Sequence, residues 1–488
     1  MIFFTWLKTK QNLILLLFLS CIVFYRLLIC INFNPELSVG ETNNIWNALN
    51  VANGKPLYTN PEDTPFEIFQ YTPLSQLPVI AAAKFFNSES ENYSYKVMVM
   101  GRLFSLLFNI LTFYFVYKVL KKSLNVSKTL SLAAAITGFA LLTHLAFAVR
   151  PDAMSLFLTI LSVYLFSKAY FQKQHLYYIY CGVTFGISFF SKQDSFLILS
   201  ALGFFLLINK RWKELLTLAL SFLISFISLL IISKVVFGNF FLFSIGGGLS
   251  LGYSFNQAKE VFLHFLSFYN ISFCAGLLVS IVTFKKALPE KQASFLLILS
   301  SSSFLIAMVT SFKLGSWMNY YTPFVIYTVM LIYYVINYFN ENSNRVFLIV
   351  CLTIVHVLFF IYSQAFHYTA PFLNYKSSKA KYIAIAENFK NFKEEADSNK
   401  YVIFTFDKML KLVLYRNTIF PNTEYYHVSR FSFEGYKKLN SFKKLTHVIK
   451  NNDIGNSQFS TLDYYQIPLL DFKEKNQVLN YTIYEYGR

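Results

Sequence analysis

Leu215-Leu-Thr-Leu-Ala-Leu-Ser-Phe-Leu-Ile-Ser-Phe-Ile-Ser-Leu-Leu-Ile-Ile-Ser233 is a run of 19 residues without a charge, closed by Lys213-Glu214 on one side and Lys234 on the other. Roughly 20 apolar residues in helical form cross the hydrocarbon core of a bilayer, so the run reads as a membrane span. Comparable stretches occur near residues 13–31, 102–120, 130–149, 153–171, 176–191, 195–209, 261–284, 293–312, 320–338 and 346–365. The expected fold is therefore an all-α polytopic membrane protein of about eleven transmembrane helices. The first stretch is long and lacks a small-residue cleavage site, so it is expected to stay as an anchor rather than leave as a signal peptide.

Composition carries the same message. Of 488 residues, 55% are hydrophobic, 19% aromatic and 14% charged, with a mean hydropathy of +0.44. Soluble domains carry about 25% charged residues, and a water-soluble enzyme of this size needs more charge than this to cover its surface. The net charge of +18, from 43 basic and 25 acidic residues, has a simple source in Lys and Arg collected in cytoplasmic loops. No basic low-complexity tail is present, and nucleic acid is not an expected partner. Cys21, Cys30, Cys181, Cys274 and Cys351 all fall in apolar segments with no CxxC spacing, so they read as small buried hydrophobes.

Orientation follows from the basic residues. With Lys8 and Lys10 in the cytoplasm, Lys121, Lys122, Lys128, Lys173, Lys210, Arg211, Lys213, Lys285, Lys286, Lys291 and Arg345 all fall inside. This requires that residues 71–86, broken by Pro73 and Pro78, lie on the outer surface as an interfacial helix instead of crossing. The outer side then receives a long first loop, 32–101, and everything after about 366. Residues 376–488 hold 18 Lys or Arg and 12 Asp or Glu, with strand-like runs at 401–406 and 481–486 and helical stretches near 379–396 and 433–442. They are expected to form a small extracytoplasmic α/β domain beside a membrane domain spanning 1–375.

On this topology the charged residues near span ends share one face. Glu41 lies in the first outer loop and Arg102 opens the second span. Arg150 and Asp152 stand at one outer turn, Lys192 and Asp194 at another, and Lys313 and Asn319 at a third. Charge near hydrocarbon is costly and needs a reason. Singly, each has a bland one: Arg102, Arg150 and Arg26 snorkel, while Asp152 and Glu41 sit in the first turn of a helix. A common face is what a site for an anionic lipid headgroup would present, with carboxylates at hand for acid–base work.

The order of motifs resembles bacterial membrane glycosyltransferases of the GT-C superfold, the group that contains the protein O-mannosyltransferases and the lipid A aminoarabinose transferase. The resemblance rests on Gly40-Glu41 ahead of Trp46, Tyr71-Thr-Pro73-Leu74, Gly101-Arg102-Leu103, Val149-Arg150-Pro151-Asp152, Phe190-Ser-Lys192-Gln193 and Lys313-Leu-Gly315 through Asn319 to Pro323, and covers roughly residues 10–340. It implies transfer of a sugar from a polyprenyl-phosphate carrier to a lipid, polysaccharide or protein acceptor outside the cell (inner) membrane. Glu41 would be the base, with Asp152 next and Glu62, Asp63 or Glu67 behind. Arg102, Arg150 and Lys192 would hold the donor phosphate, with Tyr71, Lys313 and Asn319 also binding substrate. Two departures stand out: the family usually has Asp-Glu where this chain has Gly40-Glu41, and the Lys often found before the Pro-Leu motif is missing. The lipid-linked sugar is a co-substrate, and a divalent metal is left open because some relatives use one. The rival expectation is a transporter or flippase for a lipid-linked or anionic substrate, although no repeat or midplane charge speaks for it. There is no HExxH, P-loop or GxGxxG.

Overall fold

The computed structural model describes residues 10–34, 37–38, 40–60, 69–90, 92–249, 252–284, 290–339, 351–362, 375–405, 407–418, 445–453 and 472–486. In chain order the helices are α1 Gln11–Cys30, α2 Glu41–Ala52, α3 Leu77–Phe85, α4 Tyr93–Lys118, α5 Lys128–Ala140, α6 Asp152–Phe171, α7 Leu176–Phe189, α8 Ile198–Ile208, α9 Trp212–Phe237, α10 Phe240–Leu249, α11 Phe255–Val282, α12 Lys291–Ser311, α13 Thr322–Phe339, α14 Cys351–Tyr362, α15 Tyr375–Asn388, α16 Lys390–Asn399 and α17 Lys408–Val413. Among the described residues, seven helical segments are long and apolar enough to cross a membrane: α1, α4, α6, α9, α11, α12 and α13 with the 3₁₀ turn before it. Four of the expected spans appear as shorter apolar helices: α5, α7, the run Ser195–Ile208 that contains α8, and α14. The stretch expected to span at 130–149 breaks because the chain leaves α5 at Leu141, makes a 3₁₀ turn at His144–Phe147 and runs extended at Ala148.

α9 faces lipid along most of its length. Leu216, Leu220, Leu223, Ile224, Ile227, Ile231 and Val235 recur at helical spacing and are all exposed, an apolar stripe that water would not tolerate but a bilayer does. Its other side meets α7 closely. Gly182 and Gly186 of α7 lie against Ser221 and Ser225 of α9, so near that a β-carbon at Gly182 would fall 2.7 Å from the Leu218 carbonyl oxygen. Small residues four apart let two backbones approach, the usual device for packing helices in lipid.

Arg26, expected to snorkel, does not. It is buried inside the bundle and donates through Nη2 to the carbonyl oxygens of Ala140 and Leu142 at 2.9 and 2.6 Å, with its guanidinium 4.8 Å from the centre of the Phe147 ring. It thus satisfies carbonyls at the end of α5 that have no intrahelical partner.

The first loop also departs from its expected form. The segment after Glu41 reads as an amphipathic surface helix, yet every residue from Glu41 to Asn50 of α2 is buried. The reason is the C-terminal part of the chain, which covers it. Strands β1 Ile403–Thr405, β2 His447–Asn451, β3 Phe472–Val478 and β4 Tyr481–Tyr486 form a sheet in the order β1-β2-β4-β3. β1 and β2 are parallel, and the other pairs are antiparallel. Ile385 and Phe389, Leu410, Ile449, Tyr481 and Ile483 make one apolar core between this sheet and helices α15 and α17. The unit is fastened to α2 and α4: Trp46 Nε1 donates to Thr418 Oγ1 at 2.9 Å, Lys411 Nζ to Asn43 Oδ1 at 2.7 Å, and Ser94 Oγ to the Leu412 carbonyl at 2.7 Å. The single helix expected over 379–396 is split into α15 and α16 at Phe389. The stretch 433–442 lies outside the described residues.

The proline-containing stretch 71–86 forms a 3₁₀ turn at Pro73–Ser75 followed by α3, nine residues long. Gly246-Gly-Gly248 lies within α10.

Candidate functional site

The charged residues singled out in the sequence come together at one end of the bundle, but as two clusters with different character. The first is Glu41 with Arg102. Glu41 opens α2, and Gly40 before it has φ +84°, a left-handed conformation that a side chain resists. This is the position where the resembling family carries Asp. Glu41 Oε1 accepts from Arg102 Nε and from the Val149 backbone N–H, both at 2.8 Å. Oε2 accepts from Arg102 Nη2 at 2.8 Å and from the Leu37 N–H at 2.6 Å. Arg102 also donates to the carbonyl oxygens of Asn32 and Asn34 at 2.8 and 2.6 Å. Both side chains are 0% exposed. A buried, bidentate pair whose remaining sites are filled by backbone is a structural anchor. The expectation of Glu41 as base and Arg102 as phosphate ligand meets a geometry in which described residues already fill four carboxylate contacts and four of the five guanidinium N–H groups. What the pair does hold is Val149, one residue before Arg150.

The second cluster lies just beyond that turn. Asp152 is the first residue of α6, where its charge also suits the helix N-terminus. Its Oδ2 accepts from Arg150 Nε at 3.0 Å; its Oδ1 accepts from Asn319 Nδ2 at 2.6 Å and lies 3.1 Å from Lys192 Nζ. Lys192 Nζ also meets Asp194 Oδ2 at 3.0 Å and stands 4.3 Å from the centre of the Tyr320 ring. Arg150 Nη1 donates to Ser38 Oγ at 2.8 Å. These side chains are 11 to 25% exposed, so unlike Glu41 they are within a ligand's reach.

Burial alone would push the Lys192 ammonium down, but Asp152 and Asp194 prevail and hold it above the usual lysine value. Lys313 differs. Burial pushes its pKa down, Asp194 opposes this and Lys192 adds to it. It makes no ion pair among the described residues. Counting Arg150, Lys192 and Lys313 against Asp152 and Asp194 leaves one positive charge, which favours an anion at this end of the bundle.

Asp152, Lys192, Asp194, Asn319 and Tyr320 line a narrow cleft of about 70 Å³ that runs between α4, α6, α8, α12 and α13. Tyr71 is not among the lining residues but stands near Tyr320, which is. The segment before α3 is tied to the Lys192 turn by Gln193 Nε2 donating to the Gln70 carbonyl at 2.5 Å, Thr72 Oγ1 to the Phe189 carbonyl at 2.9 Å, and the Leu74 N–H to the Phe190 carbonyl at 2.8 Å. These bonds bring the Pro-Leu segment, which lacks the family's Lys, alongside the turn that carries Lys192. Glu62, Asp63 and Glu67 lie outside the described residues. Tyr58 and Phe69 pack with Phe190 and Phe241, so these loop aromatics serve a core.

Ser38 and Tyr320 join the cluster unannounced by the sequence. A Ser in a loop and a Tyr in an apolar run carry no sequence signal. Among the described residues, no three His, Cys, Asp or Glu side chains gather as a metal group.

Residues 95–237 match the family model described as dolichyl-phosphate-mannose-protein mannosyltransferase, and this segment contains Arg102, Arg150, Asp152, Lys192 and Asp194. No curated protein matches the sequence. Among solved structures, ArnT from Cupriavidus metallidurans bound to undecaprenyl phosphate superposes with a TM-score of 0.58 at 10% identity, over 96% of this chain and 97% of that one. The archaeal oligosaccharyltransferase AglB from Archaeoglobus fulgidus, in complex with an inhibitory peptide and a dolichol-phosphate, gives 0.56 at 13% identity, over 97% and 75%. The chain therefore shares the fold of ArnT and AglB over nearly its whole length, and its segment 95–237 is similar to the mannosyltransferase family, in line with the resemblance of its sequence motifs.

Proposed function

We propose that this chain is a multi-pass membrane glycosyltransferase that moves a sugar from a polyprenyl-phosphate-linked donor to an acceptor outside the cytoplasm. The observation that carries this is the cleft-lining cluster in which one carboxylate, Asp152, is bracketed by Arg150, Lys192 and Asn319. The neighbours' lipid carriers, undecaprenyl phosphate and dolichol-phosphate, support a polyprenyl phosphate as the ligand.

A donor phosphate competes with Asp152 for Arg150 and Lys192, and Lys313 adds a third cation. As the cations turn to the phosphate, Asp152 recovers lone pairs. The acceptor's hydroxyl oxygen then attacks the anomeric carbon, the bond from that carbon to the phosphate oxygen breaks, and its electron pair leaves on the phosphate. Asp152 takes the hydroxyl proton, a role worth about 10²–10⁴-fold. The phosphate gains one negative charge in this step, and the fixed cations stabilise it without reorganising. Glu41 and Arg102 act at one remove, by holding Val149 and so the turn that carries Arg150 and Asp152. About eleven spans, with the sheet-bearing residues 376–488 as a domain on the outer side over the site, complete the reading. Charges gathered at one end of the bundle, with no charged pair at its middle among the described residues, favour transfer over transport.

The test compares lipid-linked sugars and envelope glycans by mass spectrometry in wild type, a deletion strain and Asp152→Asn. The deletion and Asp152→Asn should both lose one sugar from the same glycan while the lipid-linked sugar persists. A full glycan in Asp152→Asn removes Asp152 as base, and unchanged glycans in the deletion strain sink the transferase reading.

A further inference from the structure

Asn109 lies in α4, seven residues past Arg102 and so about 10 Å further along the helix axis. It is fully buried and lines the same cleft as Asp152 and Lys192. Its Nδ2 donates to the Ala146 carbonyl at 2.8 Å, which settles which end of the amide is which. Its Oδ1 is then a buried acceptor with no partner among the described residues. Asn319 repeats this arrangement at the cleft mouth, with Nδ2 on Asp152 and Oδ1 unpartnered. Native proteins rarely leave such atoms unsatisfied, and those that remain ask for a ligand.

Two neighbours share the character of Asn109. Thr159 is seven residues into α6 from Asp152, and Ser303 is eight residues before the end of α12; both line the cleft. Their hydroxyl hydrogens are spent on helix carbonyls, Thr159 on Ser155 at 2.9 Å and Ser303 on Leu299 at 2.6 Å. What they turn to the cleft is lone pairs. The charged lining residues are Asp152, Lys192 and Asp194, which belong to the mouth. The deep wall is thus uncharged, with the acceptors of Asn109, Thr159 and Ser303 set among apolar residues such as Leu156, Ile198 and Ile306. A prenyl chain has only C–H bonds to offer it, and a phosphate needs donors. A sugar ring offers O–H groups.

We infer that the deep end of the cleft is a subsite that reads the hydroxyls of the donor sugar, with Asn109 Oδ1 as its specificity-determining atom. This rests on the glycosyltransferase reading and adds to it a direction: the phosphate at the mouth, the sugar below it, within the helix bundle. Asn109 positions and selects, and takes no part in the proton transfer.

The test uses the full-length protein in lipid nanodiscs and measures binding of undecaprenyl phosphate and of a panel of undecaprenyl-phosphate hexoses and pentoses. Wild type should bind at least one sugar-bearing lipid about tenfold more tightly than the bare lipid, and Asn109→Leu should lose that margin while holding bare undecaprenyl phosphate as before. Ser303→Ala, a milder change on the same wall, should lose part of the margin. The inference is overturned if Asn109→Leu keeps the margin, if it weakens bare and sugar-bearing lipids alike, or if wild type shows no margin for any sugar. Failure of wild type to bind either kind of lipid is a different result: it removes the glycosyltransferase reading itself, and the subsite with it.

Discussion

Glu41 accepts four hydrogen bonds, from Leu37, Val149 and twice from Arg102, whereas the oxygens of Asp152 meet side chains that a ligand can draw away. Glu41→Gln should therefore act on folding before it acts on chemistry. The amide leaves Arg102 as a buried, uncompensated cation, which costs about 3–5 kcal/mol. We expect a lowered thermal midpoint and poor yield of purified protein. A variant that melts like wild type but has lost turnover returns Glu41 to the role of base. Lys313 carries a second prediction. Its pKa is lowered by burial, so its positive charge is lost at a lower pH than the usual lysine value of about 10.4. Affinity for undecaprenyl phosphate should then fall as pH rises through that lowered value, and Lys313→Arg, which stays charged, should flatten the fall. Superposable pH profiles for the two proteins exclude Lys313 from the phosphate site. The sequence places all these charges on one face, and that much was legible. It cannot sort them, because whether a carboxylate ends as an anchor or in a cleft depends on which backbone N–H groups the fold brings to it. Val149 reaches Glu41 across 108 positions, through packing that no local pattern records.

α7 is the element on which the Lys192 turn depends. It ends at Phe189 and lies wedged between α6 and α9, touching α9 through Gly182 and Gly186. Gly182→Leu should force the two helices apart at a cost of about 1–3 kcal/mol, and sugar transfer should drop with it because Lys192 moves. Gly203→Ala is the control, since a β-carbon there meets only Leu215 at an ordinary 3.5 Å; a Gly182→Leu protein with the stability and activity of this control would refute the dependence. Apolar length was a good guide to the long helices α1, α4, α6, α9, α11, α12 and α13. It was a poorer guide at 130–149, where Arg26 and the carbonyls of Ala140 and Leu142 stabilise an early end to α5 that hydropathy alone passes over. The burial of α2 on every side was also hidden, because its cover comes from residues more than 300 positions away.

At the scale of the molecule, the charge asymmetry makes a prediction about orientation. With Lys and Arg of the short loops in the cytoplasm, a reporter fused after Arg488 should be active only outside it; a cytoplasmic signal inverts the site and ends the proposed mechanism. The fastening of the last quarter of the chain onto α2 has a consequence for biogenesis. The bond from Trp46 to Thr418 joins residues 372 positions apart, and closing a loop of that length costs about 5 kcal/mol in chain entropy. While the ribosome is still making the later helices, the indole N–H of Trp46 and the amide of Asn43 have no such partners. The helix that carries Glu41, and through Val149 the turn of Arg150 and Asp152, is therefore finished only when the final stretch has been made and docked. A nascent chain released before that stretch would hold the long spans α1 to α13 yet lack an assembled cleft mouth, so competence in this protein waits on the docking of residues 411–418.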